Sequence, residues 1–206
     1  ISKTNLEHQS HGAERTMKPQ LGDTILNRYT LVSSLREEPG IQAWKANDRV
    51  LAKDCQLFII TDRRAFAAID KLAGRIAATR PDRVIPILKY RMESDVLLIV
   101  MPVDSGQCLT DYMVDTAKPL SYSAIRSIIG ECADVLREVI ADTPSGIVIT
   151  TDTVRVTTSG VQIADAPCAT MLADTSATDL RTDGPERYAI RQLAALLYTL
   201  LTRTPS

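Results

Sequence analysis

Between Gly146 and Pro167 the chain reads GIVITTDTVRVTTSGVQIADAP. Two short runs in it, Val154–Thr157 and Val161–Ala164, alternate their side chains as a half-buried strand does. Ser159-Gly160 between them predicts a hairpin turn. An acid, Asp165, follows the second run directly, and Pro167 ends regular pairing because it has no N–H to give to a ladder. Helical patterns stand on both sides, Ser121–Ala141 before and Tyr188–Leu201 after. The order is thus helix, polar loop, hairpin, acid, helix.

The 206 residues suffice for one domain of two lobes or two small domains. A hydrophobic content of 45% with 24% charged residues supports a folded body with its own core. The formal net charge of −1 gives no global field for nucleic acid or an anionic membrane. No apolar run approaches the roughly 18–20 residues needed to span a bilayer. The chain begins at Ile1 without a signal-peptide pattern, and reads as an excised soluble piece of a longer protein. Cys55, Cys108, Cys132 and Cys168 are widely spaced and form no CxxC pair, so they are expected to be reduced structural thiols, Cys55 and Cys132 among them buried. His8 and His11 are the only histidines, both in the polar first segment. A body without imidazole argues against Ser-His and Cys-His nucleophilic chemistry and against His-ligated zinc.

Residues 1–20 lack periodicity and read as a flexible linker or arm. Arg28–Leu35 and Ile41–Ala46 read as paired strands with REEPG as their turn, and Cys55–Thr61 as a third strand. From Arg64 to Ala78 the residues Phe66, Ile69, Leu72, Ala73, Ile76 and Ala77 fall on one helical face, and Pro81 stops the helix. Arg83–Tyr90 and Val96–Val103 form a predicted hairpin around Met92-Glu93-Ser94-Asp95. Asp104–Gln107 reads as a linker and Leu109–Val114 as a short helix. Ser121–Ala141 carries a stripe from Ile125 to Ile140 that must face a core. Cys168–Arg187 reads as a polar loop, whereas Tyr188–Leu201 is apolar nearly all round and predicts a helix buried on most sides.

Taken together, GDTILNRYTLV, AWKANDRV, LLIVMPVDSGQCLTDYM, the hairpin with its following Asp, and ALLYTLLTRTP resemble in their order a bacterial Ser/Thr protein kinase from about Gly22 to Pro205. The resemblance implies an α+β, protein kinase-like two-lobed fold. It comprises an arm (1–20), a β-rich N-lobe (21–103) and a truncated helical C-lobe (104–206).

The catalytic motifs of that family are worn away. Glycines after the first strand let backbone N–H groups approach phosphates; here Leu35-Arg36-Glu37-Glu38-Pro39-Gly40-Ile41 keeps one glycine and adds two acids. The third strand of a kinase bears Val-Ala-x-Lys. By spacing, Cys55-Gln56-Leu57-Phe58 stands there, so Phe58 takes the position of the phosphate-binding lysine and Gln56 that of a small alanine. The helix acid is approximated by Asp70, which is then a surface acid without its lysine. The His-Arg-Asp loop with its metal-holding Asn is replaced by Ile149-Thr150-Thr151-Asp152-Thr153, too short and without His, Arg or Asn. Asp152 could sit near the base position, but a turn or cap role is favoured. Asp165-Ala166-Pro167 stands for Asp-Phe-Gly; one carboxylate is a poor magnesium site alone. No cofactor or metal is expected. Phosphoryl transfer rests on positioning and charge neutralisation, so these losses together should abolish it.

Gly184-Pro185-Glu186 looks like a worn Ala-Pro-Glu, only a short way beyond Asp165. A shortened, degenerate kinase domain of this kind is similar to the intracellular pseudokinase region of actinobacterial MviN (MurJ-like) proteins, membrane proteins implicated in flipping the lipid-linked peptidoglycan precursor. That resemblance implies a place on the cytoplasmic face of the cell membrane, tethered through the rest of a parent chain. It implies phosphorylation by an upstream Ser/Thr kinase and recognition of phosphothreonine by a forkhead-associated domain protein. The candidate phosphosites are Thr175, Thr178, Thr182, Thr202 and Thr204. The competing reading is a divergent nucleotide-binding or weakly active kinase that uses Asp165 with other partners.

Overall fold

A computed structural model of the chain describes residues 18–93, 95–103, 106–115, 120–142, 147–164, 168 and 184–203. The elements run β1 (Thr24–Ile25), β2 (Tyr29–Glu38), β3 (Ile41–Asp48), β4 (Lys53–Ile60), α1 (Arg63–Thr79), β5 (Lys89–Met92) and β6 (Leu97–Pro102). They continue with β7 (Gln107–Cys108), α2 (Leu109–Asp115), α3 (Tyr122–Asp142), β8 (Val154–Thr157), β9 (Gly160–Ile163) and α4 (Pro185–Thr202). Strands β1 to β6 form an antiparallel sheet in the order β1-β2-β3-β4-β6-β5, and β7-β8-β9 form a second one.

Register decides which side chains of the large sheet share a face. Ala43, Phe58 and Ile99 stand opposite one another on neighbouring strands, and so do Trp44, Leu57 and Val100. Because strand side chains alternate, the first set lies on one face and the second on the other. Trp44, Leu57 and Val100 pack with Tyr29, Leu31 and Ala46 into an outer cluster. Ala43, Phe58 and Ile99 pack with Phe66, Ile69 and Ala73 of α1 into an inner one. A third cluster holds Leu72 and Ile76 of α1, the stripe of α3, the hairpin residues Val154, Val161 and Ile163, and Ala189, Leu196 and Leu200 of α4. Helix α1 therefore serves two cores with adjacent faces. Asp62 starts it by accepting a hydrogen bond from the Arg64 N–H at 3.0 Å, and Arg80 ends it in the left-handed region before Pro81.

The segment after α1 ties the large sheet's side of the molecule to the hairpin. Ile85 N–H donates to the Ile163 carbonyl at 2.9 Å, and Ile163 N–H donates to that of Arg83 at 2.8 Å. Above this bridge Arg83 pairs with Glu131 of α3, whose carboxylate also accepts from the Val161 N–H at 2.8 Å. Gly160, with φ +122, leaves the room these groups occupy.

Several boundaries differ from those expected. Strand β5 starts at Lys89, not Arg83; Arg83–Ile85 is spent on Ile163, and Pro86 has no N–H for a ladder. The REEPG turn contracts to Pro39-Gly40, because Arg36–Glu38 remain in β2 and Gly40 supplies a φ of +81. The hairpin turn is Thr158-Ser159, with Gly160 already paired to Thr157. Helix α4 begins at Pro185 rather than Tyr188, since proline's missing N–H is no loss in a first turn. It also exposes Ile190, Leu197, Tyr198 and Leu201, against the expectation of a helix buried on most sides. Cys55 and Cys132 are buried as expected, and burial pushes their thiols up to about 11 and about 12. No helix among the described residues is long and apolar enough to cross a membrane.

One ion pair fastens the outer edge of the large sheet. Asp48 is 5% exposed and accepts from Arg28 at 2.9 and 2.7 Å and from the N–H groups of Val50 and Leu51 at 3.0 and 3.2 Å. The Arg28 side chain holds its carboxyl down to about 2, from an ordinary 3.8. A depressed carboxylate stabilises the fold above its unfolded pKa and loses that contribution as pH falls. Stability should therefore drop between pH 3.8 and about 2, a drop that Asp48→Asn flattens. Denaturant melts of both proteins through that window measure it.

Candidate functional site

The inner face of β4 is where the kinase resemblance implies a phosphate-binding cation. Phe58 is 1% exposed there and Gln56, on the same face, 8%. Phe58 belongs to a cluster with Phe66, Ile69, Ala73, Ala164 and Cys168. Ala164 closes the hairpin immediately before Asp165, so the segment leading to that acid rests on the apolar cluster; Asp165 itself lies outside the described residues. Lys45 stands opposite Gln56 on this face, but its ammonium pairs with Asp54 at 2.9 Å. Asp70 of α1 is half-buried and makes no ion pair with a described residue.

At the turn joining β2 and β3, Glu37 pairs with Lys18 and Glu38 with Arg36 at 3.9 Å. These carboxylates occupy the turn in which the kinase resemblance implies backbone N–H groups donating to phosphate, and like charge there opposes a phosphate.

The loop of residues 147–153 is built inward. Ile147, Val148 and Ile149 are buried, as is Thr153 at 4% exposure. Thr153 donates from Oγ1 to the Val148 carbonyl and accepts from the Thr150 N–H, both at 2.9 Å. Gln192 of α4 is a second brace: its Oε1 accepts from the Ile149 N–H at 2.5 Å and its Nε2 donates to the Ile147 carbonyl at 3.1 Å. Asp152 is exposed, and its carboxylate accepts from Thr110 Oγ1 at 2.8 Å, tying the turn to α2. The bond reaches 42 residues along the chain, a tertiary brace rather than the local turn or cap bond favoured by its sequence context. Gln192 was not singled out in advance. Its signal is a polar residue on the face of α4 that also holds Leu196 and Thr199.

A cavity of about 410 Å³ opens on this loop, lined among others by Thr110, Met113, Ile149, Asp152, Leu196 and Thr199. Phe58 and Gln56 take no part in it. Of the candidate phosphosites, Thr202 is exposed in the last turn of α4 and donates to the Tyr198 carbonyl at 2.8 Å. Thr175, Thr178, Thr182 and Thr204 lie outside the described residues. No group of three or more His, Cys, Asp or Glu placed to hold a metal occurs among the described residues.

The sequence matches no family model and no curated protein. The structure is similar to that of Rad53, residues 1–466, crystallised in complex with AMP-PNP, with a TM-score of 0.66 at 15% identity. The match covers 86% of this chain and 49% of the other, so the chain spans about half the length of that structure. A curled antiparallel sheet, one helix against its inner face and a helical part holding a small hairpin make this a protein kinase-like fold.

Proposed function

We propose that this kinase-like chain is a catalytically inactive pseudokinase, working as a phosphorylation-regulated protein-interaction scaffold in the control of peptidoglycan synthesis. The observation that supports it most is the buried Phe58 on the inner face of β4. An aromatic ring stands where nucleotide chemistry calls for an ammonium group, and Gln56 beside it narrows the same face. The paired acids at the β2–β3 turn and the use of Asp152 as a brace to α2 point the same way. On this reading the partners are an upstream Ser/Thr kinase and a forkhead-associated domain protein that reads phosphothreonine. The domain is held at the cytoplasmic face of the membrane by an MviN-like parent chain.

The second reading, a divergent nucleotide-binding kinase, draws on the presence of Asp165 and on Lys45 sharing a sheet face with Phe58. Thermal unfolding with and without ATP and Mg²⁺ or Mn²⁺ decides between them. A ligand that binds only the folded state at 100 times its Kd stabilises by about 2.7 kcal/mol. No nucleotide-dependent shift is expected; a metal-dependent rise in Tm supports the second reading. Incubation with an active cell-wall-regulating kinase, followed by phosphopeptide mapping, tests the scaffold: an unmodified chain removes regulation by phosphorylation.

A further inference from the structure

Three elements build the cavity beside the loop of residues 147–153. Leu196, Thr199 and Arg203 of α4 line one wall, at intervals of three and four residues, so they follow one another along a single helix face. Met113 and Thr110 of α2 line a second wall, and Ile149 and Asp152 of the loop a third. Leu196 and Ile149 are buried and make its floor apolar. Three polar groups interrupt this lining. Thr199 is 9% exposed, yet its hydroxyl makes no hydrogen bond to a described residue; only its carbonyl is engaged, by the Arg203 N–H at 2.8 Å. Thr79 and Thr202, also helical, donate to the carbonyl four residues back, at 3.0 and 2.8 Å. Thr199 forgoes that bond, and a buried hydroxyl left so costs stability. Asp152 and Arg203 are both exposed and stand at the mouth. The Asp152 carboxylate accepts from Thr110 Oγ1 at 2.8 Å, one bond of the several a carboxylate can take. A guanidinium has several N–H donors, so a partner within the chain does not exhaust Arg203.

We propose that this cavity binds a short peptide of dipeptide size, with free ends and apolar side chains. Its volume of about 410 Å³ lies at the lower end of small-molecule pockets, whose walls are mostly apolar with a few placed polar groups. Opposite charges at the mouth select a zwitterion. The ligand's ammonium group goes to Asp152 and its carboxylate to Arg203, a pairing for which the guanidinium fork is shaped. An apolar side chain then fills the space between Met113, Ile149 and Leu196. A free amino acid offers the same three groups but leaves Thr199 unmet. A peptide bond supplies both a donor and an acceptor, and a hydroxyl can answer either. A fatty acid answers to Arg203 alone and an aliphatic amine to Asp152 alone. Neither Phe58 nor Gln56 lines the cavity, so this site is independent of whether the chain binds nucleotide.

Titration of leucyl-leucine into the 206-residue chain, followed by NMR, tests this. Shifts should concentrate at the Met113 methyl, Ile149 and Leu196, with a Kd of about 0.2 mM, ordinary for a ligand of that size. N-acetyl-leucyl-leucine and leucyl-leucine amide should each bind about fivefold more weakly, the worth of one exposed ion pair. Asp152→Asn keeps an acceptor for Thr110 and should erase the discrimination against the acetylated peptide. Arg203→Gln should erase that against the amide. Thr199→Val should raise the Tm of the unliganded protein, by removing an unmet hydroxyl, and weaken leucyl-leucine about fivefold. Circular dichroism checks that each variant is folded. No saturable shifts at millimolar peptide, or shifts centred elsewhere, overturn the site. Capped peptides that bind as well as the free one overturn the assignment to a zwitterion. Free leucine binding equally well removes the part given to the peptide bond. A Thr199→Val protein with a lowered Tm means that the hydroxyl is held within the fold, and its pairing with a ligand is wrong.

Discussion

Phe58→Lys is expected to cost the protein about 4 kcal/mol of stability and to create no nucleotide binding. Phe58 is 1% exposed in a cluster with Phe66, Ile69 and Ala73. Removing a buried ring and leaving alanine costs about 3–5 kcal/mol. A lysine stem refills part of that volume but brings an ammonium group into an apolar site. Asp70, half-buried on α1, lies four residues after Phe66 and three before Ala73, on the flank of the face they share, but a part-exposed carboxylate returns less than burial of the ammonium costs. Desolvation lowers the pKa of the amine, which sheds its proton to stay buried; a lysine that stays charged at neutral pH would show that Asp70 reaches it. The sign of the pH dependence follows: the unfolded chain then binds the proton that the native one releases, so the variant gains stability as pH rises. Phe58→Met, nearer in volume, should cost less than about 1.5 kcal/mol and serves as the packing control. Urea melts of the three proteins at neutral and alkaline pH give the energies. A Phe58→Lys protein whose Tm rises with ATP and Mg²⁺ would mean that one side chain had silenced an intact nucleotide site, contrary to the scaffold reading.

The same residue marks what was legible beforehand. Phe58 sits in a continuous apolar run, Leu57–Ile60, buried on both faces of the sheet, so its position follows from its spacing to Cys55 and Gln56 rather than from alternation, and the register sets it opposite Ala43 and Ile99. The hairpin and α3 were equally plain, because alternation and a continuous apolar stripe each admit one reading. The stretch from Arg83 to Leu88 was not. It is apolar and β-branched like a strand, but Val84 bridges to Ile163, far away in sequence. A long-range partner of that kind leaves no local trace, and Pro86 was the one available warning. The outer side of α4 failed for the opposite reason. A helix apolar on all sides says that two faces want cover, and nothing in its own residues says which of them the same chain supplies. Polar braces were the least visible. Arg83 and Glu131 are far apart in sequence and meet over Gly160 only once the hairpin lies on α3. The bond between Asp152 and Thr110 spans 42 residues and was equally invisible.

Gln192→Ala is expected to destabilise the protein by about 3–4 kcal/mol, the larger share from hydrogen bonds rather than volume. Gln192 is 8% exposed, and its amide holds the Ile149 N–H and the Ile147 carbonyl at once, at 2.5 and 3.1 Å. Both backbone groups lie in a buried run, and each group left unsatisfied costs about 1–3 kcal/mol. Gln192→Leu separates the two contributions: it keeps most of the volume and should still cost about 2–3 kcal/mol, because neither backbone group regains a partner. Gln192→Glu keeps the acceptor for Ile149 but presents a carboxylate oxygen to the Ile147 carbonyl, so it too should destabilise. A local readout distinguishes this brace from general packing. In the native protein the Ile149 amide should exchange with solvent only through large-scale opening, whereas in Gln192→Leu it should exchange faster than the amides of α3. Equal acceleration of both would mean that the loop is held by Thr153 and by burial of Ile147, Val148 and Ile149 alone, and that α4 packs beside the loop without positioning it.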